Sequence, residues 1–447
     1  MTVDNHADEW TNKGLTLFNS GEYDEAIECF DKAIEIDRNY VYAWNGKGSA
    51  LHKLGKYDEA IKCFDKALEI DPNYVDARVW NGKGSALHKL GKYDEAIIFY
   101  DKAIEIDPNY AWAWRNKGLA LYNLGKHEEA IRCYNSATKI DPNHVDAWND
   151  EGNAFGYLGK YDKAIACYDK AIEIDPNYGW AWYNKGLALY RLKKYEEAIK
   201  CYDKATEIDP SDAYAWNEKG NAFCKLESYE EAIKCYDKAI EIDPNHVWAW
   251  RDKGDSLRDI GNYPEAERCY NKAHNLDPKN IYALDGLSLF YSEYMYEPDK
   301  ALQLRRKILE IKPDFSAKTN IAEDLIKSGS YVDGRKYALE ALNEAQDTVY
   351  QCVIRFFILS SYLLEGDTTN GNKEFGKFRD YYRNLNEDFK VGEERWMFRG
   401  LINVISKSNA NLETKFLLLT LIDLLQGKID RRKLSFFHAV EPILIVQ

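Results

Sequence analysis

An all-α array of stacked antiparallel helix hairpins is the fold class that this 447-residue sequence predicts. Three observations carry the expectation. Tryptophans recur at Trp10, Trp44, Trp80, Trp114, Trp148, Trp182, Trp216 and Trp250, 34 residues apart except for 36 between Trp44 and Trp80. A glycine follows each tryptophan by four positions (Gly14 to Gly254), and alanines follow by sixteen (Ala26 to Ala266) and by twenty-three (Ala33 to Ala273). Pro72, Pro108, Pro142, Pro176, Pro210, Pro244 and Pro278 close seven of the eight units, with Arg38 in the first.

The spacing of apolar residues makes each unit two amphipathic helices of about 13 residues. The first runs from the tryptophan to a Leu-Gly-Lys-Tyr turn, as in Trp44 to Leu54. The second runs from Asp58 to about Ile70 and stops at Asp71-Pro72, because proline cannot continue a helix. Gly48 and Ala60 are small where two helix axes approach, with Trp44 and Tyr57 filling the space beside them. One such hairpin cannot cover its own apolar face, so hairpins must stack. Arg78-Val79 is an insertion between the nearly identical second and third units, and it predicts a longer loop or extra half-turn over residues 74–80.

This period, with Trp, Gly, Tyr, Ala, Ala and Pro in register over residues 7–280, resembles the tetratricopeptide repeat family. The resemblance implies a right-handed superhelical solenoid of stacked hairpins and a non-enzymatic partner-binding role. One departure is a lysine just before the glycine (Lys13, Lys47, Lys83, Lys117, Lys185, Lys219, Lys253), where the family usually has leucine. Its stem is expected along the neighbouring helix with the ammonium in water.

Beyond 280 the signature decays. Residues 281–345 read as two degenerate hairpins and residues 346–447 as a helical cap or accessory region. Within the latter, 349–386 and 392–426 read as helix pairs, with the Asp367–Asn372 interval as a turn. A terminal repeat must cover an otherwise exposed apolar face, which is the reason for expecting a cap.

The chain carries 60 Lys+Arg against 74 Asp+Glu, a net charge of −14. Residues 1–280 hold 37 basic and 50 acidic side chains, a net of −13, which leaves −1 for the remainder. An acidic balance disfavours non-specific nucleic-acid and anionic-membrane binding. No run of 18 apolar residues and no apolar leader are present, so a cytoplasmic protein is expected.

Chemistry is sought and not found. Cys29, Cys63, Cys133, Cys167, Cys201, Cys235 and Cys269 hold one position of the second helix and read as small buried hydrophobes, since stacked hairpins hold their Cα atoms too far apart for disulfides. His52 and His88 are equivalent residues of adjacent units and too far apart to share a metal. Gly46-Lys47-Gly48-Ser49 lacks phosphate-loop spacing and lies inside a helix. No catalytic motif appears, so neither an enzyme nor a cofactor nor a metal is expected.

A second face of the first helices avoids the core at 100° per residue. In the family this face lines the concave groove, so the resemblance carries a binding role onto it. It comprises Tyr42, Asn45, His52 and Lys53; Arg78, Asn81, His88 and Lys89; and Trp112, Arg115, Tyr122 and Asn123. Further along come Asn149, Asn153 and Tyr157; Trp180, Tyr183, Tyr190 and Arg191; Tyr214, Asn217, Asn221 and Lys225; and Trp248, Arg251 and Arg258. These positions hold eight basic side chains against four acidic ones (Asp8, Asp146, Asp255, Asp259), so the face is net +4 within an acidic segment. Aromatic, Asn and Arg side chains together suit an extended acidic or aromatic peptide. Trp112, Trp180 and Trp248 recur every 68 residues, so the surface offered repeats every two hairpins.

Family members that clamp chaperone C-terminal carboxylates use a Lys/Asn, Asn, Lys/Arg arrangement on three successive helices. Arg115 is followed by Leu119, and Asn217/Asn221 by Asp252, so that partner class is disfavoured. Two alternatives remain open at this point. One is single-stranded nucleic-acid binding through the same aromatic, Arg and Asn groove. The other is self-association through the C-terminal helices or the apolar tail Pro442 to Val446.

Overall fold

A computed structural model describes residues 3–71, 76–346, 348–383, 399–408, 410 and 412–425. They fall into two compact units, residues 1–222 and 223–447. No helix among the described residues is long and apolar enough to cross a membrane.

Unit 1 is a run of helix hairpins. They pair α1 (Val3–Asn19) with α2 (Tyr23–Ile36), α3 (Val41–Lys53) with α4 (Tyr57–Ile70), and α5 (Ala77–Lys89) with α6 (Tyr93–Ile106). Next come α7 (Ala111–Asn123) with α8 (His127–Ile140), α9 (Val145–Tyr157) with α10 (Tyr161–Ile174), and α11 (Gly179–Arg191) with α12 (Tyr195–Ile208). The division between units falls within α13 (Ala213–Lys225).

Two contacts recur along unit 1. The first sets the helix separation. A second-helix ring lies against the first-helix glycine, so closely that a methyl added at Gly48 would sit 2.8 Å from Phe64, and one at Gly118 would sit 2.8 Å from Tyr134. These rings are the largest fully buried side chains of unit 1: Phe30, Phe64, Tyr100, Tyr134 and Tyr202. The second contact locks the loop between hairpins. The indole Nε1–H of Trp114 donates to Pro108 O at 3.0 Å, and Trp148, Trp182 and Trp216 repeat it on Pro142, Pro176 and Pro210. Asp107 accepts from Asn109 N at 2.9 Å, and Asp141, Asp175 and Asp209 likewise accept from the backbone two residues on, which tightens the same turn. Trp44 donates to Arg38 O at 2.9 Å, so the first unit keeps the lock without the proline.

The insertion is taken up in the loop. Residues 37–40 separate α2 from α3, but residues 71–76 separate α4 from α5, and α5 still begins three residues before its tryptophan. Residues 74 and 75 of the expected irregular stretch lie outside the described ones. Among the described residues Trp80 Nε1 has no acceptor, and its ring stacks on Phe99 at 6.0 Å, where the other units carry cysteine.

The lysines before the glycines are not simply solvated. Lys47, Lys117, Lys185 and Lys219 reach Asp31, Asp101, Asp169 and Asp203 of the preceding hairpin at 2.5–2.7 Å, and Lys83 pairs with Asp65. The ammoniums of Lys117, Lys185 and Lys219 also lie over the unit's own tryptophan, Lys219 over Trp216 at 4.7 Å, while that of Lys83 lies over Phe99 at 4.1 Å. The fifth unit exchanges both partners, with Glu151 accepting from Asn135.

Unit 2 continues the pattern through α14 (Tyr229–Ile242), α15 (Val247–Asp259) and α16 (Tyr263–Leu276). Helix α17 (Ile281–Leu289) runs into a π-helical turn at Phe290–Tyr294 before α18 (Pro298–Ile311). Then follow α19 (Phe315–Lys327), α20 (Tyr331–Glu344), α21 (Thr348–Glu365), α22 (Thr368–Arg383), α23 (Arg399–Lys407) and α24 (Leu412–Leu425). A buried polar cluster sits beside the π turn. Arg305 meets Asp324 at 2.9 Å, Lys327 meets Glu323 at 2.6 Å and also pairs with Glu293, and Ser292 donates to Asp324 at 2.6 Å. The last helices share one apolar core that includes Phe356, Phe357, Phe378, Leu401, Leu418 and Leu421, with Ile326 of α19. The expected Asp367–Asn372 turn is shorter than its composition suggested. Asp367 accepts from Asn370 N at 3.0 Å and starts α22, so the turn is Gly366-Asp367. Residues 392–398 and the apolar tail Pro442 to Val446 lie outside the described residues.

The hairpin turns of unit 1 place glycine in the left-handed region, as at Gly125 (φ 76°), but Lys193 adopts φ 61° with a full side chain. Lys193→Gly is expected to stabilise the chain by about 1 kcal/mol. Gly118→Ala, by contrast, is expected to cost about 1–3 kcal/mol by crowding Tyr134. Denaturant melts of the two variants against the parent check both signs.

Candidate peptide-binding face

In unit 1 the first-helix face resolves into a crest and a floor. The crest is the position two before each tryptophan. Tyr42, Trp112, Trp180 and Tyr214 stand there, all exposed, with Trp180 64% and Tyr214 62% accessible. Trp112 leans on His144 of the next hairpin at 4.4 Å and keeps its other side open. Arg78 occupies the same position in the third unit, its guanidinium 2.7 Å from Asp76, the N-cap of α5.

The floor is a strip of side-chain pairs that link consecutive hairpins at a separation of 35 residues. Asn116 donates to Asn81 at 2.9 Å, Arg115 donates to Asp150 at 2.8 Å, and Asn184 donates to Asn149 at 3.0 Å. Arg115 is also 3.7 Å from Asp146 and lies 5.7 Å from the Trp112 ring. Asn149 and Asn217 are buried (5% and 3%), so neither presents its amide at the surface. Asn45 and Asn81 are half-buried.

The remaining sequence-selected residues flank that strip. His52 Nε2 is 3.1 Å from Ser85 Oγ, and His88 Nε2 is 2.8 Å from Asn123. Tyr122 and the exposed Tyr157 both lie against His127. Tyr190 meets Tyr195 edge-on, and Arg191 is exposed. Asn153 accepts from the Tyr168 hydroxyl at 2.9 Å, and Asn221 donates to Glu218 at 3.3 Å. Tyr183 is half-buried, 6.5 Å from Trp180.

In unit 2, Trp248 is exposed and 4.6 Å from Tyr282. Arg251 meets Asp252 at 3.0 Å and Asp255 at 3.1 Å, and Arg258 meets Asp255 at 2.8 Å and Asp259 at 2.9 Å. Four arginines counted as basic groove residues (Arg78, Arg115, Arg251, Arg258) are therefore already engaged by the protein's own carboxylates. Lys53, Lys89 and Lys225 are exposed.

Sequence reasoning passed over the position two after each tryptophan, where Asp150, Glu218 and Asp252 stand. A signal for it exists within the repeat. In unit 1, glycine holds this position (Gly46, Gly82) where the preceding hairpin carries Phe30 or Phe64. Asn116, Asp150, Asn184 and Glu218 hold it where the preceding ring is Tyr100, Tyr134, Tyr168 or Tyr202. An added methyl at Gly46 would meet the Phe30 ring at 2.5 Å, so the glycine there is a space requirement.

Tetratricopeptide repeat models match residues 7–40, 41–74, 111–144, 179–212 and 213–246, and related repeat models match 63–98, 84–125, 152–193 and 235–268. Together they span 7–144 and 152–268, more than half the chain, which belongs to the tetratricopeptide repeat family. Among solved structures it is similar to YrrB, described as a TPR protein with an unusual peptide-binding site, at 27% identity over 43% of this chain and 98% of that one (TM-score 0.37). It is similar to MamA from Desulfovibrio magneticus at 26% identity over 38% of this chain and 96% of that one (TM-score 0.36). The C-terminal part of a TPR repeat-containing protein from Cytophaga hutchinsonii matches at 24% identity over 54% and 98% (TM-score 0.44). No protein of curated function matches the sequence.

Burial, then the neighbouring lysines, holds His52 and His88 below the usual histidine range of 6.5. A base whose folded pKa is depressed adds stability above its unfolded pKa, and that stability is lost as pH falls through the folded value. Melting midpoints of the parent are therefore expected to fall more steeply below about pH 6.5 than those of a His52→Gln/His88→Gln variant.

Proposed function

We propose that this chain is a non-enzymatic protein-interaction scaffold and that unit 1 seats an extended polypeptide segment along its first-helix face. The observation that carries the reading is the crest of exposed Tyr42, Trp112, Trp180 and Tyr214, aligned two residues before the tryptophans of their hairpins. Large exposed aromatics desolvate well and lose little rotamer freedom, which is why such residues concentrate binding energy at interfaces. The hydrogen-bonded floor beside them is pre-ordered, so an incoming chain does not have to order it. Membership of the tetratricopeptide repeat family points the same way. Engagement of Arg115, Arg251 and Arg258 by the chain's own acids shifts the weight of the reading from acidic segments to aromatic and apolar anchors.

Selection of a random peptide library on the full chain tests this. Enriched peptides are expected to lose about thirtyfold in affinity, roughly 2 kcal/mol, on Trp112→Ala or Trp180→Ala. Both rings are exposed, so the helical signal is expected to stay unchanged. Affinities indifferent to both substitutions would overturn the assignment of the face.

A further inference from the structure

Three buried or half-buried acids stand on the floor position two after the tryptophan, and the protein answers two of them with its own guanidinium. Asp150 receives Arg115 at 2.8 Å, and in unit 2 Asp252 receives Arg251 at 3.0 Å. Glu218 makes no ion pair among the described residues. Its carboxylate accepts from Asn221 at 3.3 Å and also from the buried Asn217, and burial holds it above the usual carboxylate range. Arg191 is close enough to be felt as a charge, but it is exposed and makes no ion pair with Glu218 among the described residues.

The repeat shows what is missing. Around Asp150, Trp112 supplies the crest ring, Arg115 the guanidinium, and Asp146 and Asp150 the acids. Two hairpins on, the same positions are Trp180, Tyr183, Tyr214 and Glu218. Asn81 with Asn116, Arg115 with Asp150, and Asn149 with Asn184 all meet at a separation of 35 residues, which is also the separation of Tyr183 and Glu218. Thus the cation position is replaced by a ring and the outer acid by a second ring, while the inner acid stays. Trp180 and Tyr183 stand edge-on at 6.5 Å (88°), and Tyr183 lies 6.1 Å from Tyr202. The Tyr202 ring is fully buried, and its hydroxyl has no hydrogen-bond partner among the described residues.

We propose that Trp180, Tyr183, Tyr214 and Glu218 form a subsite for a guanidinium, and that the segment bound along unit 1 places an arginine there. Three rings and one carboxylate suit a planar, weakly hydrated cation, which stacks on aromatic faces and is held by a charge-assisted hydrogen bond. Arg115 between Trp112 and Asp150 is the intramolecular version of the same contact. The proposal rests on the groove reading above and adds the chemistry of one anchor.

The test uses the full chain and an N-acetylated, C-amidated Gly-Gly-Arg-Gly-Gly peptide, titrated by calorimetry at low salt. Counterparts carry citrulline or lysine in place of the arginine. Saturable binding of the arginine peptide at millimolar concentration is expected, at least tenfold weaker for citrulline and weaker for lysine. Glu218→Gln is expected to weaken arginine binding about tenfold, roughly 1.4 kcal/mol. Tyr183→Arg, which recreates the Arg115–Asp150 pair internally, is expected to abolish it. No saturable binding, equal binding of citrulline or lysine, or indifference to Glu218→Gln would each overturn the subsite. Library peptides that depend on Trp112 and Trp180 but not on Glu218 would remove the subsite and leave the groove standing.

Discussion

A second-helix ring pressed onto a first-helix glycine sets the distance between the two helices of each hairpin, and the rest of each unit follows from that distance. The ring at Phe64 or Tyr134 leaves no room for a methyl on its partner glycine, so the axes approach to a fixed separation. With that separation fixed, the lysine one residue earlier reaches an aspartate on the preceding hairpin, and the tryptophan indole reaches the carbonyl of the interhairpin turn. The same rings then face the floor position of the next hairpin, which in unit 1 is glycine against Phe30 and Phe64 and polar against the tyrosines. A ring that packs inside one hairpin thus also borders the position from which the next one displays its polar groups.

Much of this was legible before any coordinates. Hairpin boundaries followed from the Trp, Gly and Pro register, because each marks a backbone requirement that the whole fold shares. Burial of the repeated cysteines also followed; their thiols are pushed up to about 11 at Cys63 and Cys133 by burial. Side-chain partnerships were not legible in the same way. A helical-wheel count places residues on a face, but it does not say which side chains on that face already hold one another. Arg115 looked available for a partner's carboxylate because Asp150, one position off the chosen face and 35 residues away, was not in the count. The lysine before each glycine looked solvated because its aspartate lies in another hairpin.

Beyond residue 280 the repeat's markers fade while hairpin packing persists, and a different kind of contact takes over. Arg305, Glu293, Glu323, Asp324 and Lys327 are all buried beside a π-helical turn, where removal of Arg305 or Lys327 would leave buried carboxylates without their cation. Sequence periodicity had no purchase on this cluster, since its members come from three different helical segments. Its ionic pairs are specific to their partners in a way that the apolar core of the last helices is not.

The acceptor for the tryptophan indole is a main-chain carbonyl, and that has an evolutionary consequence. Arg38 serves Trp44 as well as Pro108 serves Trp114. Drift at the proline therefore leaves the turn standing, so a unit can shed its most recognisable residue and still stack. Copies of such a hairpin can diverge on their outer surfaces while their joints stay interchangeable. At the longer turn before Trp80 the indole Nε1 has no acceptor among the described residues, and the ring stacks on Phe99, the residue that breaks the cysteine series. Substitution is cheap for this architecture, because its joints are made by backbone atoms that every residue carries.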